Sequence, residues 1–177
     1  MATSHPHPER TSPWVQRFAR LVPAGGEVLD VACGGGRQAR LFAERGHPVV
    51  ALDRDVSCVP ALPGIEPLQA DLEDGSPWPL PGRRFSAVVV TNYLWRPLLP
   101  TLVEAVAPGG VLIYETFACG NERFGRPRNP DFLLRPGELL DLVRGRLSVV
   151  AYESGITAQP AVLQRICAVN SVELAEL

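Results

Sequence analysis

The sequence predicts an α/β fold, a largely parallel sheet with helices on both faces. Three observations predict it. Residues 28–46 read as strand, glycine turn and helix. A second apolar strand follows at 49–53 and ends on an acid. The chain then alternates strands with helices before closing on two strands, at 147–152 and 161–169, joined by a Gly/Pro turn region.

Residues 1–11 form a polar tail carrying His5 and His7, and 12–177 a single domain. Ser12-Pro13 is a helix-start signal, and Trp14, Val15, Phe18, Leu21 and Val22 supply an apolar stripe. That helix covers one end of the sheet or the mouth of a cleft. Val28 to Ala32 is a buried strand without polar alternation. From Arg37, the residues Ala39, Phe42, Ala43 and Gly46 fall at helical spacing. The stretch 55–64 predicts one short helix, and 66–70 a third strand. Phe85 to Thr91 is the clearest strand, with three consecutive valines. A helix is expected over 98–107, a Pro108-Gly109-Gly110 turn, a strand over 111–115 and a further helix from Pro136 through Val143. Residues 116–135 show no periodicity, yet Phe117, Phe124 and Phe132 are too apolar for simple disorder; an ordered cover is expected there.

The turn Gly34-Gly35-Gly36 lets the backbone approach a ligand closely, and the free N–H groups at the following helix start favour polar or anionic groups. Asp53, 19 residues after Gly34, stands at the tip of a neighbouring strand, where a carboxylate can grip the two hydroxyls of a ribose. Gly34 to Ala39 also satisfies the dinucleotide pattern G-x-G-x-x-G/A, so a nicotinamide oxidoreductase has to be weighed. Asp30 argues against it, because a carboxylate at the strand end repels a pyrophosphate and attracts cationic groups.

Val28-Leu29-Asp30-Val31-Ala32-Cys33-Gly34-Gly35-Gly36 resembles motif I of the class I S-adenosylmethionine-dependent methyltransferases, with Ala32 where that family most often has glycine. The likeness extends through Pro108-Gly109-Gly110 and the fifth strand to about Val169, and looks closest to the small bacterial tellurite-resistance-type and thiol methyltransferases. It implies a Rossmann-like, seven-stranded mixed sheet of order 3-2-1-4-5-7-6 with one reversed strand. It also implies S-adenosylmethionine as cofactor, held by Asp30, Ala32, Cys33, Gly34, Gly36, Arg37, Asp53 and Asn92, with Asp71 at the adenine amino group. Tyr93 and Glu115, which end or follow the fourth and fifth strands, are the catalytic candidates, and Trp95, Thr116, Arg126 and Arg128 the candidates for acceptor binding. No histidine is well placed as a general base. A thiolate or soft oxyanion needs little help from one. A non-catalytic cofactor-binding or partner-binding protein on the same fold is the alternative.

Length and composition fit this picture. A chain of 177 residues buries about 70% of its unfolded surface. Net charge −2 argues against a dominant nucleic-acid surface, and the acceptor is expected to be a small molecule. All 17 basic residues are arginine, which removes lysine bases, Schiff bases and P-loops. Cys33, Cys58, Cys119 and Cys167 lack metal-ligand spacing, so no metal is expected. No secretory signal or membrane-length apolar run is present, and a cytoplasmic monomer or homodimer is expected.

Overall fold

The computed structural model describes residues 10–171, so His5 and His7 lie outside the described residues. Within these described residues seven strands form one sheet: β1 (Val28–Val31), β2 (Val49–Asp53), β3 (Ile65–Gln69), β4 (Phe85–Thr91), β5 (Val106–Phe117), β6 (Ser148–Ile156) and β7 (Val162–Val169). Their order is β3-β2-β1-β4-β5-β7-β6, as the resemblance implies. Strands β1 to β5 pair in parallel, and β7 runs antiparallel to both β5 and β6.

Among the described residues four α-helices flank the sheet: α1 (Pro13–Phe18), α2 (Arg37–Glu44), α3 (Leu99–Glu104) and α4 (Glu138–Val143). They are short, so packing rather than intrinsic helix stability holds them. The period-2 alternation of the strands makes two cores. On one face Val15, Phe18, Ala39 and Phe42 pack on Val28, Val49, Val89 and Ile113. On the other, Leu102, Val103, Leu139 and Val143 pack on Leu29, Val50, Val88 and Leu112. The Ser12 hydroxyl accepts the Val15 N–H at 3.2 Å and starts α1, while the Trp14 indole donates to the Ile166 carbonyl at 3.2 Å and ties that helix to β7.

Three expectations need correction. No helix forms over 55–64. Asp55 turns back on the Ser57 N–H at 2.9 Å, and Pro60 and Pro63 remove the donors a helix would need. The helix expected over 98–107 is α3 alone, which ends at Glu104 because β5 begins at Val106. Pro108-Gly109-Gly110 is an irregularity inside β5 rather than a turn before it. Val106 pairs with Phe85 and Val111 with Ala87, so the intervening residues bulge. A side chain at Gly110 would lie 2.9 Å from two carbonyl oxygens, so only glycine fits there.

Residues 118–135 are ordered. Ala118 bridges to Leu134, and the buried Asn121 side chain accepts the Val162 N–H at 3.1 Å. Arg96 straps the segment's far end. It donates to the carbonyls of Asp131 and Leu133 at 2.8 Å each and makes a two-pronged contact with Glu138 at 2.7 and 2.9 Å. Phe124 and Phe132 remain about 40% exposed, so they do not plug the core.

Candidate functional site

The chain leaves β3 and returns as β4 on the other side of β1, so the order in which parallel strands are added reverses between β1 and β4. A crevice opens beyond the strand ends at such a switch point. Both strands that flank it end on a residue in left-handed backbone conformation that is not glycine, Ala32 at φ 52° and Asn92 at φ 56°. That conformation costs roughly 1–2 kcal/mol per residue. Asn92 is fixed in its turn by donating its N–H to the Glu115 carbonyl at 3.0 Å. The next carbonyl, of Tyr93, accepts the buried Tyr114 hydroxyl at 2.9 Å.

The glycine turn and Asp53 come together as their spacing implies. The Gly34 N–H donates to Asp53 Oδ2 at 2.9 Å, and the Asp55 N–H donates to Oδ1 at 3.0 Å. A carboxylate offers about four acceptor positions, so two remain for ligand hydroxyls. Side chains built at Gly34 or Gly35 would meet open space, whereas one at Gly36 would strike Pro60 at 2.7 Å. Gly34 and Gly35 therefore border the crevice, and Gly36 is a packing residue.

Asp30 lies beneath the turn, almost fully buried. Its Oδ2 accepts the Ala39 N–H at 2.9 Å, while Oδ1 is buried without a partner. Burial pushes its pKa up from 3.8 to about 7, against the opposing effects of the Ala39 hydrogen bond and the Arg37 charge; Asp53 pushes it further up. Arg37, the first residue of α2, touches the Thr91 hydroxyl at a long 3.4 Å and keeps its Nε buried without a partner. Cys33 is buried and its thiol is held far from ionisation by desolvation and then by Asp30 and Asp53, so it is inert.

Tyr93 packs, partly buried, against the core that holds Leu94 and Tyr114. Burial, reinforced by Glu73, Asp71 and Asp53, pushes its phenol well above the usual tyrosine range, and the buried hydroxyl has no hydrogen-bond partner. Asp71 itself is exposed and closes a local turn on the Glu73 N–H at 2.9 Å. Tyr93 and Asp71 thus share the Asp53 side of the crevice.

A cavity of about 1290 Å³ opens on the other side. Its walls are the start of α1, the tips of β4 and β5, and the β6–β7 hairpin. Arg37, Asn92, Glu115, Phe117, Leu163 and Arg165 are among its lining residues. Tyr93, Trp95, Thr116, Arg126 and Arg128 do not line it. The cause is parity along β5: Glu115 and Phe117 face the cavity, so Thr116 between them turns into the opposite core. Trp95 packs against that same core. Arg126 and Arg128 are exposed in the strapped segment. Sequence reasoning missed Arg165 and Glu153. Arg165 lies 3.1 Å from Glu115 and 3.3 Å from Glu153, and Glu153 lies 3.3 Å from Arg17. A charge inside the apolar run 161–169 was the available signal.

Comparison with known proteins identifies the family. Residues 5–128 match a family described as a methyltransferase domain. The chain belongs to that methyltransferase family. Among solved structures, a TehB-like SAM-dependent methyltransferase from Corynebacterium glutamicum is 17% identical, with 88% of this chain aligned to 85% of that one at TM-score 0.64. An S-adenosylmethionine-dependent methyltransferase from Mesorhizobium loti is 19% identical, over 87% of this chain and 96% of that one, at TM-score 0.66. The 1,6-didemethyltoxoflavin-N1-methyltransferase of Burkholderia thailandensis, solved with 1,6-didemethyltoxoflavin and S-adenosylhomocysteine, is 16% identical over 90% and 77% of the two chains, at TM-score 0.65. No match is found among curated protein sequences. These likenesses establish the methyltransferase's Rossmann-like fold. Among the described residues no helix is long and apolar enough to cross a membrane, and no three or more His, Cys, Asp or Glu side chains cluster as metal ligands would.

Proposed function

We propose that this methyltransferase binds S-adenosylmethionine in the β1–β4 crevice and transfers its methyl group to a small molecule in the adjoining cavity. One observation carries the assignment. Asp30 Oδ1 is an acceptor and Arg37 Nε a donor, both buried without partners at one glycine turn. Buried polar atoms are normally paired, and these two complement the ammonium and carboxylate of the cofactor's amino-acid end. Asp53 keeps acceptor positions for the ribose, and Asp71 and Tyr93 border the adenine side. Backbone groups of Ala32, Cys33, Gly34 and Gly36 shape the turn, and Asn92 stands at the boundary with the cavity.

When bound, the sulfonium supplies an activated methyl group, so the protein's task is to position the acceptor and exclude water. Glu115 is the cavity's candidate catalytic group. Tyr93 belongs with the cofactor instead, because its phenol holds its proton and faces three acids. The four cysteines are unpaired, which accords with a reducing cytoplasm.

Calorimetric titration with S-adenosylmethionine, S-adenosylhomocysteine and NAD tests the cofactor. Asp53→Ala should weaken S-adenosylmethionine at least about tenfold, equal to about 1.4 kcal/mol, because it removes both the ribose acceptor and the Gly34 contact. Unchanged affinity in that variant, or tighter binding of NAD by the wild type, refutes the assignment. Release of S-adenosylhomocysteine in an acceptor screen separates an enzyme from a non-catalytic binder.

A further inference from the structure

Resting on that cofactor assignment, we infer that the acceptor is a small amine with an apolar body, seated against Phe117 and Leu163 with its nitrogen directed at the Glu115 carboxylate.

Glu115 ends β5 beside the tip of β4. It pairs with Thr91 across the sheet, and its carbonyl holds the Asn92 N–H at 3.0 Å. Its side chain is only 11% exposed, and the surface that remains faces the cavity. The nearest cation is Arg165, whose Nε lies 3.1 Å away but off the N–H axis, so the contact is ionic and leaves the carboxylate lone pairs free. Arg165 is also divided, because Glu153 sits 3.3 Å from its other arm and Trp14 lies 5.9 Å from the guanidinium carbon. Glu153 is shared in turn with Arg17 at 3.3 Å, so these charges balance; what sets Glu115 apart is that the Nε–H of its cation is not aimed at its lone pairs. A ligand atom beside Glu115 should therefore carry N–H donors or positive charge.

The opposite wall separates the ligand classes further. Arg37 lies there and is committed to the cofactor's carboxylate, and Arg10 stands at the rim. A thiolate or an oxyanion placed at the β4–β5 tips would face Glu115 directly, which like-charge repulsion opposes. Phe117, Leu163, Ala161, Ile156 and Pro13 give the cavity an apolar side, among polar lining residues that include Gln16, Ser154, Thr157 and Gln159. A hydrocarbon or aromatic body fits those walls, and an inorganic anion leaves them without contact.

The balance of the step is simple. The amine first gives up its ammonium proton to solvent by way of Glu115, and the lone pair so freed forms the new bond to the methyl carbon. The carbon–sulfur bond breaks and its electron pair stays on sulfur, which becomes a neutral thioether. The positive charge moves to nitrogen, beside Glu115, and the surplus N–H proton leaves through that carboxylate to solvent. The floor thus stabilises charge where it develops.

Protein saturated with S-adenosylhomocysteine is titrated calorimetrically with three arylalkylamines, including phenethylamine, and with 2-phenylethanethiol and phenylacetate as matched thiol and anion. S-adenosylhomocysteine release from S-adenosylmethionine is then followed with the same compounds. At least one amine should bind tenfold or more tightly than the matched thiol and anion, and amines alone should give methylated product. Glu115→Gln should weaken that amine at least tenfold while S-adenosylmethionine affinity stays within threefold. The wild-type comparison of amine with thiol and anion stands even if that variant fails to fold. Equal or tighter binding of thiol or anion overturns the inference, as does a Glu115→Gln variant with unchanged amine affinity, or release from no amine. Failure of S-adenosylhomocysteine to bind in the first place overturns the cofactor assignment and this inference with it. Binding of that compound without amine preference overturns this inference alone.

Discussion

Exchanging alanine and glycine in the turn after β1 should move stability in opposite directions at Ala32 and Gly36. Ala32 holds φ 52° with a Cβ present. Replacing it by glycine removes roughly 1–2 kcal/mol of left-handed strain. The greater freedom of glycine in the unfolded chain returns about 0.4–1 kcal/mol. Ala32→Gly is therefore expected to stabilise by about 0.5–1 kcal/mol. Gly36 holds φ 69°, and a Cβ there would sit 2.7 Å from the Pro60 ring. Strain and overpacking together should make Gly36→Ala destabilising by about 2–4 kcal/mol. For a chain of this size each kcal/mol moves the melting temperature by about 2–4 °C. Urea unfolding followed by circular dichroism, with the denaturant slope unchanged, gives both free energies. Shifts of the same sign, or a Gly36→Ala variant as stable as wild type, would refute the account of this turn.

Other perturbations test other parts of the molecule. Asp30 has its pKa raised from 3.8 to about 7, so folding is favoured by its proton below pH 3.8, and the stability it contributes falls as pH rises toward 7. The difference corresponds to about 4 kcal/mol at most, so Asp30→Asn should stabilise the protein at pH 8 while weakening S-adenosylmethionine, as paired melts and titrations would report. Arg96→Ala strips Glu138 of its charged partner, leaving it the Arg135 N–H alone, and two carbonyls of the Arg96 donor; it should cost about 2–3 kcal/mol, with faster proteolysis within 118–135 as the local signature. Replacing Arg126 and Arg128 together by alanine should leave methyl transfer within about twofold and stability within about 0.5 kcal/mol. A tenfold loss of turnover there would return those arginines to the acceptor site.

The central parallel strands were legible because they are short, mainly apolar runs buried on both faces, as in Val28–Val31 and Phe85–Thr91. The glycine turn and Asp53 were legible because one strand–turn–helix unit fixes their separation. Elements governed by longer-range contacts were not. Prolines and an aspartate turn override the weak helical pattern of 55–64. The early start of β5 is hidden because its pairing with β4 resumes only after the bulge. Arg165 reaches Glu115 from 50 residues away through antiparallel pairing of β5 with β7, and no local spacing encodes that meeting. Residues 116–135 read as one irregular cover, but Thr116 and Phe117 extend β5, and the Arg96 contacts that fasten the rest to α4 come from a distant loop that local pattern does not reveal.

The bulge in β5 acts as a phase-setter for the cavity. Between the Val106–Phe85 and Val111–Ala87 pairs, β4 advances two residues and β5 five. Asn170, just past β7, clamps this offset. Its carbonyl accepts the Gly109 N–H at 2.7 Å, its N–H donates to the Gly110 carbonyl at 2.8 Å, and its side chain donates to the Val106 carbonyl at 2.9 Å. Everything downstream inherits its sidedness from that clamp. Deleting or inserting a single residue at 108–110, with the downstream register slipping to follow, would rotate Thr116 into the cavity and Glu115 into the core, inverting the chemistry of the wall without altering one side chain in it. Related chains that differ in length at this point therefore need not share an acceptor, even where every residue of the β5 tip is the same.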